Sequence, residues 1–115
     1  MERDTRAAAR ESSCQQDIAS DGCFSLAMLA AFSGPLERYG PWFYPRLYWE
    51  AGMIGQQLYL EAEAAGVRST GIGCFFDDPM HEVLGLAGWH FQDVYHFTVG
   101  GPVEDVRLST SAAYE

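Results

Sequence analysis

The chain has 115 residues, 48% of them hydrophobic, and sixteen acids against seven bases give it a formal net charge of -9. That length suits one compact domain, and the aromatic content argues against disorder. The acidic field, offset by no run of cations, argues against nucleic acid and anionic membranes as partners, while helix termini and one Arg can still hold a single anionic ligand.

Met1 to Gln16 is polar apart from Ala7-Ala-Ala9, and reads as a frayed helix continuing through Asp17-Ile-Ala19. Ser20-Asp-Gly22 reads as a turn. Cys23 to Phe32 is nearly continuously apolar, which suits a strand covered on both sides, although its Leu, Met and Ala content suits a helix equally by propensity. Bracketing turns at Asp21-Gly22 and Ser33-Gly-Pro35 favour the strand. Leu36 to Pro45 reads as an aromatic loop, because Pro41 and Pro45 hold their predecessors extended.

Arg46 to Ala65 carries the clearest helical pattern. Leu47, Ala51, Ile54, Leu58, Ala62 and Ala65 recur at helical spacing, and Gly66 supplies the stop. Gly52 and Gly55 inside it each cost roughly 1 kcal/mol relative to Ala, so close approach of another backbone, a flat ligand or the protein's own sheet is expected there. Val67 to Phe76 begins as a strand and is broken by Gly71 and Gly73. Asp78 can cap a short helix ending at Gly85. Leu86 to Phe91 is a loop. Asp93 to Val99 alternates as a strand, with Val94, His96 and Thr98 opposite Tyr95, Phe97 and Val99. Val103 to Glu115 shows no core periodicity.

The cysteines Cys14, Cys23 and Cys74 are odd in number and include no CxxC pair, which fits a reducing compartment better than a disulfide scaffold. Glu2, Asp4 and Glu11 among the first bases do not suit a signal peptide, and no apolar run is long enough to span a bilayer. A cytoplasmic protein is expected. No metal site is expected: His81-Glu82 starts like a zincin helix, but the second His of HExxH would fall on Gly85, and His90 and His96 read as surface or satisfied structural histidines. Asp77-Asp78 serves more simply as a helix cap than as a catalytic pair. No GxSxG elbow occurs, and no catalytic acid or base is identified.

Gly71-Ile72-Gly73 differs in kind, because two glycines after a short strand can bring bare N–H groups close to a flat or anionic ligand. It is not the dinucleotide fingerprint, since the third glycine and its helix are absent. Arg107, after the last strand, has a sensible chemistry as a phosphate ligand and a bland one as a surface Arg.

The order of features resembles the C-terminal half of the nitroreductase-like flavoproteins, closest in flavour to the SagB-type dehydrogenase branch. The resemblance is carried by Glu50 to Gly66, by Gly71-Ile-Gly-Cys-Phe-Phe-Asp-Asp78, by Val83-Leu-Gly-Leu86 and by Tyr95-His-Phe-Thr-Val-Gly-Gly-Pro102. Ser13-Cys-Gln-Gln-Asp-Ile-Ala19 and the apolar strand after it also fit. It implies an α+β fold with a mixed or antiparallel sheet and packed helices, truncated to a single domain over residues 1–115. It further implies a homodimer with FMN at the interface and a flavin-dependent oxidoreductase activity. FMN contacts carry over to Gly71, Ile72 and Gly73 near the ring and to Arg107 at the phosphate. The family's N-terminal Arg-rich and Ser/Asn-bearing segments have no counterpart here, so a complementary N-terminal half is an expected partner. A non-catalytic dimerisation or accessory protein is the alternative.

Overall fold

The computed structural model describes residues 4–114. Helices α1 (Arg6–Ser12) and α2 (Ile18–Asp21) precede strand β1 (Phe24–Ala31) and helix α3 (Ser33–Tyr39). A 3-10 turn, Pro41–Phe43, leads into the long helix α4 (Tyr44–Ala64), then β2 (Arg68–Ile72), α5 (Asp77–Leu84) and β3 (Phe91–Gly100). The last strand is the central one: the sheet runs β1-β3-β2, antiparallel throughout. Helix α4 packs on one face of it, and α2 and α5 contact β3 from the other side, with α1 resting on both of them.

The core sits between α4 and the sheet. Phe97, fully buried, packs with Ala62 and Val99, and Leu58, Val67 and Tyr95 close around them. Tyr59 meets the Phe97 ring edge-on at 5.0 Å, a geometry aromatic quadrupoles favour. Helix α4 ends where expected. Gly66 takes φ +73, and the Val67 N–H reaches back to the Ala62 carbonyl at 3.0 Å, satisfying groups the helix end leaves open.

Four expectations are corrected. The polar start is two helices, separated by Cys14 and Gln15 at φ 52 and 58; the first three residues of the expected frayed helix lie outside the described ones. Ser33-Gly-Pro35 is the first turn of α3 rather than a turn before a loop, since a proline there forfeits no helical hydrogen bond. β1 is an edge strand with Phe24, Leu29 and Ala31 exposed, so it is not covered on both sides. Finally, Cys14 and Cys74 form a disulfide across a sequence separation of 60, with Cα atoms 5.8 Å apart. Closing a loop of that length stabilises a fold by about 4 kcal/mol in the chain-entropy estimate. The odd cysteine is Cys23, free and exposed.

Candidate functional site

Gly71 and Ile72 end β2, opposite Phe97 and His96, and Gly73 opens the loop that follows. The two glycines differ. A Cβ on Gly71 would come 2.6 Å from Cζ of Tyr95, and its N–H already donates to the Tyr59 hydroxyl at 2.7 Å. Ile72 is buried. A Cβ on Gly73 would meet nothing within 4 Å, so the backbone at Gly73 is the part of the segment open to a ligand.

Arg107 is not brought to this loop by any hydrogen bond among the described residues. Its guanidinium donates twice to Asp105, at 2.8 and 2.6 Å, in the irregular exposed tail. That bond also holds the Asp105 carboxyl below its usual range. Arg68, by contrast, lines a cavity. A cleft of about 580 Å³ is lined by Arg68, Ser69, Thr70 and Thr98, with Gly100 and Gly101 at its end. Ser69 Oγ is buried without a hydrogen-bond partner among the described residues, on the α4 side of the sheet with its register partner Val99 rather than in the cleft. Arg68 pairs with Glu63 at 2.7 Å, and Asp21 and Glu104 also line the cleft. Arg68 and Gly73 stand at opposite ends of β2, roughly 17 Å apart at about 3.4 Å per strand residue.

A buried polar cluster joins residues far apart in the sequence. Ser13 Oγ lies 2.9 Å from His96 Nδ1, and His96 Nε2 lies 2.5 Å from Asp93 Oδ2. One proton arrangement satisfies both contacts, with Nε2–H donating to the carboxylate and the Ser13 hydroxyl donating to Nδ1. Strict alternation puts residues 93 and 96 on opposite faces of a strand. The register with β1 shifts at this point, Met28 pairing with Tyr95 and Leu29 with Asp93, and the bulge at Val94 restores a common face. A bulge leaves no mark in the apolar pattern. Although Ser, His and Asp form a nucleophilic relay in other settings, here Ser13 is 0% and His96 1% exposed, and Phe75 stacks on the imidazole at 4.5 Å. No substrate reaches this hydroxyl. The cluster fastens the α1–α2 turn to the central strand.

Asp77 and Asp78 occupy the first turn of α5, where carboxylates favour the helix dipole, and Asp77 also accepts from Gln92 at 2.7 Å. His81 accepts the Asp93 N–H at 3.0 Å. Tyr48, hydrogen-bonded to Tyr44, is pushed up to about 12 chiefly by burial, so it remains protonated at neutral pH. Among the described residues no group of His, Cys, Asp and Glu could hold a metal ion, and no helix is long and apolar enough to cross a membrane.

An antiparallel three-stranded sheet with a long helix on one face and short helices on the other defines the α+β class to which nitroreductase folds belong. The sequence profile of the nitroreductase family matches residues 2–101, and the chain belongs to that family. No curated protein matches it. Among solved structures it is similar to a candidate nitroreductase from Anabaena variabilis, with TM-score 0.81 and 29% identity over 88% of this chain and 20% of that one. NfrA1 of B. megaterium matches with TM-score 0.70 and 14% identity over 100% of this chain and 52% of that one. A candidate NAD(P)H:FMN oxidoreductase from Staphylococcus epidermidis matches with TM-score 0.68 and 14% identity, over 97% and 68%. The chain thus spans a fifth to about two thirds of these proteins.

Proposed function

We propose that this chain is the C-terminal half of an FMN-dependent oxidoreductase of the SagB-type dehydrogenase branch, active when a second polypeptide segment completes its pocket. The carrying observation is the family match over residues 2–101 together with the open backbone at Gly73. Flavin, when bound, supplies two-electron or hydride transfer, and the protein's part is to bind and orient it. The residues present fit such a group at its ring end, where Gly73 leaves room for a flat surface. At the polar end, Arg68 offers a forked donor, but Asp21 and Glu104 stand against it. A phosphate there needs further cations, from Arg107 released by Asp105 or from the complementary half.

Homodimerisation belongs to the same reading. Trp49, Gly52, Met53 and Leu60 form one stripe of α4, with Trp49 63% and Met53 73% exposed, more apolar surface than a soluble helix ordinarily leaves in water. A cytoplasmic location is part of the proposal, supported by the acidic sequence, and the Cys14–Cys74 bond counts against it.

The alternative, a non-catalytic dimerisation or accessory protein, is favoured by the engagement of Arg107 with Asp105. A visible absorption spectrum of the purified chain separates the two. Flavin absorption, native or after adding FMN with the N-terminal half of a full-length family member, is the expected result. A protein that stays colourless under both conditions sinks the oxidoreductase reading.

A further inference from the structure

We propose that Cys14–Cys74 is a thiol–disulfide exchange site whose reduction frees the α1–α2 turn from the loop after β2. The proposal stands apart from the flavin reading. Cys74 is exposed and Cys14 half-buried, so attack from the Cys74 side is the more open approach. Exchange requires such access by an incoming thiolate.

What the bond restrains is unusual backbone. Cys14 and Gln15 sit consecutively at φ 52 and 58, a left-handed pair without a glycine, which persists only where surroundings impose it. Two hydrogen bonds also join these segments among the described residues. Phe76 N–H donates to the Ser12 carbonyl at 2.7 Å, and Gln16 Nε2 donates to the Cys74 carbonyl at 3.2 Å. Ser13, inside the turn, closes one end of the His96–Asp93 network, in which Asp93 Oδ1 is buried with no hydrogen-bond partner among the described residues. Opening the turn therefore relaxes two strained residues and lets water reach a polar network that is incompletely satisfied. Both changes offset the loss of the Ser13–His96 bond once the covalent link is gone.

The exchange balances with a small dithiol as reductant. One of its thiolates attacks Sγ of Cys74 and forms a mixed disulfide, while Cys14 leaves as a thiolate and takes a proton. The second thiol, as its thiolate, then attacks the reductant's first sulfur, closing the reductant's own disulfide and expelling Cys74, which takes a proton and returns as a thiol. Two electrons and two protons enter the protein, and the dithiol leaves as its own disulfide. Oxidised glutathione reverses the sequence in two exchanges and leaves two reduced glutathiones.

The experiment cycles the purified chain between oxidised glutathione and dithiothreitol, with alkylation mapped by peptide mass spectrometry and amide exchange read at Phe76 and residues 13–16. Oxidised protein is expected to show one alkylatable thiol, Cys23, and reduced protein all three. The Phe76 amide loses protection on reduction while β1 and β3 keep theirs. Cys74→Ser should exchange at Phe76 like the reduced protein and ignore dithiothreitol; if that variant does not fold, the native comparison still decides. Three alkylatable thiols after oxidised glutathione, or unchanged protection at Phe76, overturns the proposal. So does loss of protection throughout the sheet on reduction, which makes the bond a global cross-link.

Discussion

Ser13 Oγ hydrogen-bonds His96 Nδ1 at 2.9 Å across 83 residues of sequence, and both side chains are buried. Ser13→Ala leaves the buried imidazole nitrogen without its hydrogen-bond partner, which costs about 1–3 kcal/mol. His96→Ala is more severe, because the Asp93 carboxylate loses its partner in the interior, at about 3–5 kcal/mol. Urea denaturation followed by far-UV circular dichroism measures both. A midpoint for Ser13→Ala equal to that of the native chain would remove the cluster from the list of things that hold α1 and α2 in place.

The two glycines of α4 should respond in opposite directions. A Cβ on Gly55 meets Cε1 of Tyr95 at 2.8 Å, whereas one on Gly52 meets nothing within 4 Å. Gly55→Ala forces Tyr95 or the helix to move and destabilises by about 1–3 kcal/mol from overpacking. Gly52→Ala gains up to about 1 kcal/mol of helix propensity. Replacing Gly52 with Leu places bulk in the exposed stripe between Trp49 and Met53, and is expected to weaken self-association while the monomer stays folded. Sedimentation velocity at micromolar protein reads this, and a native chain that runs as a monomer rejects the dimer.

Gly71 and Gly73 divide the same way between packing and binding. Gly71→Ala drives a methyl group into the Tyr95 ring and lowers thermal stability, and trimming Tyr95 to Ala in the same chain recovers part of the loss. Gly73→Ala leaves stability unchanged and weakens flavin uptake, since the added methyl projects into open space. Thermal melts with and without added FMN separate the two variants. A Gly73→Ala protein that takes up FMN as well as the native chain takes the loop out of the site.

For the phosphate, Arg68→Ala and Arg107→Ala are each expected to weaken FMN binding, and Arg38→Ala is not. Losing one hydrogen bond to a charged group costs roughly 1.5–3 kcal/mol. Fluorescence titration with the complementary half present measures it. Equal affinities for native and Arg107→Ala protein leave Arg68 as this chain's cation.

What the sequence revealed follows from which forces act locally. α4 was legible within two residues because its apolar spacing and Gly66 are local signals, and β1 and β3 because apolar runs sit between turns. The aromatic stretch from Leu36 misled, since prolines mark helix starts as readily as loops. The Asp93–His96 pairing was not legible because one bulge at Val94 changes the parity of the strand without changing its composition. Ser13, Cys14 and Cys74 stayed silent for a different reason: their partners are distant in sequence, and a spacing rule cannot see a contact made by the fold. The expectation for Gly55 divided between an external partner and the protein's own sheet, and Tyr95 fills that space.

The middle strand of the sheet is the last one made. Phe24 pairs with Val99 and Arg68 with Gly100, while β1 and β2 do not pair with each other. A ribosome therefore releases two strands that have nowhere to dock until β3 has cleared the exit tunnel, and each carries unpaired backbone meanwhile. Truncation before Phe91 removes the element both strands need, whereas removal of the tail after Pro102 spares every strand pairing. Pulse-labelled nascent chains stalled on either side of β3 should thus differ sharply in protease resistance, with the gain arriving in one step as the final strand inserts.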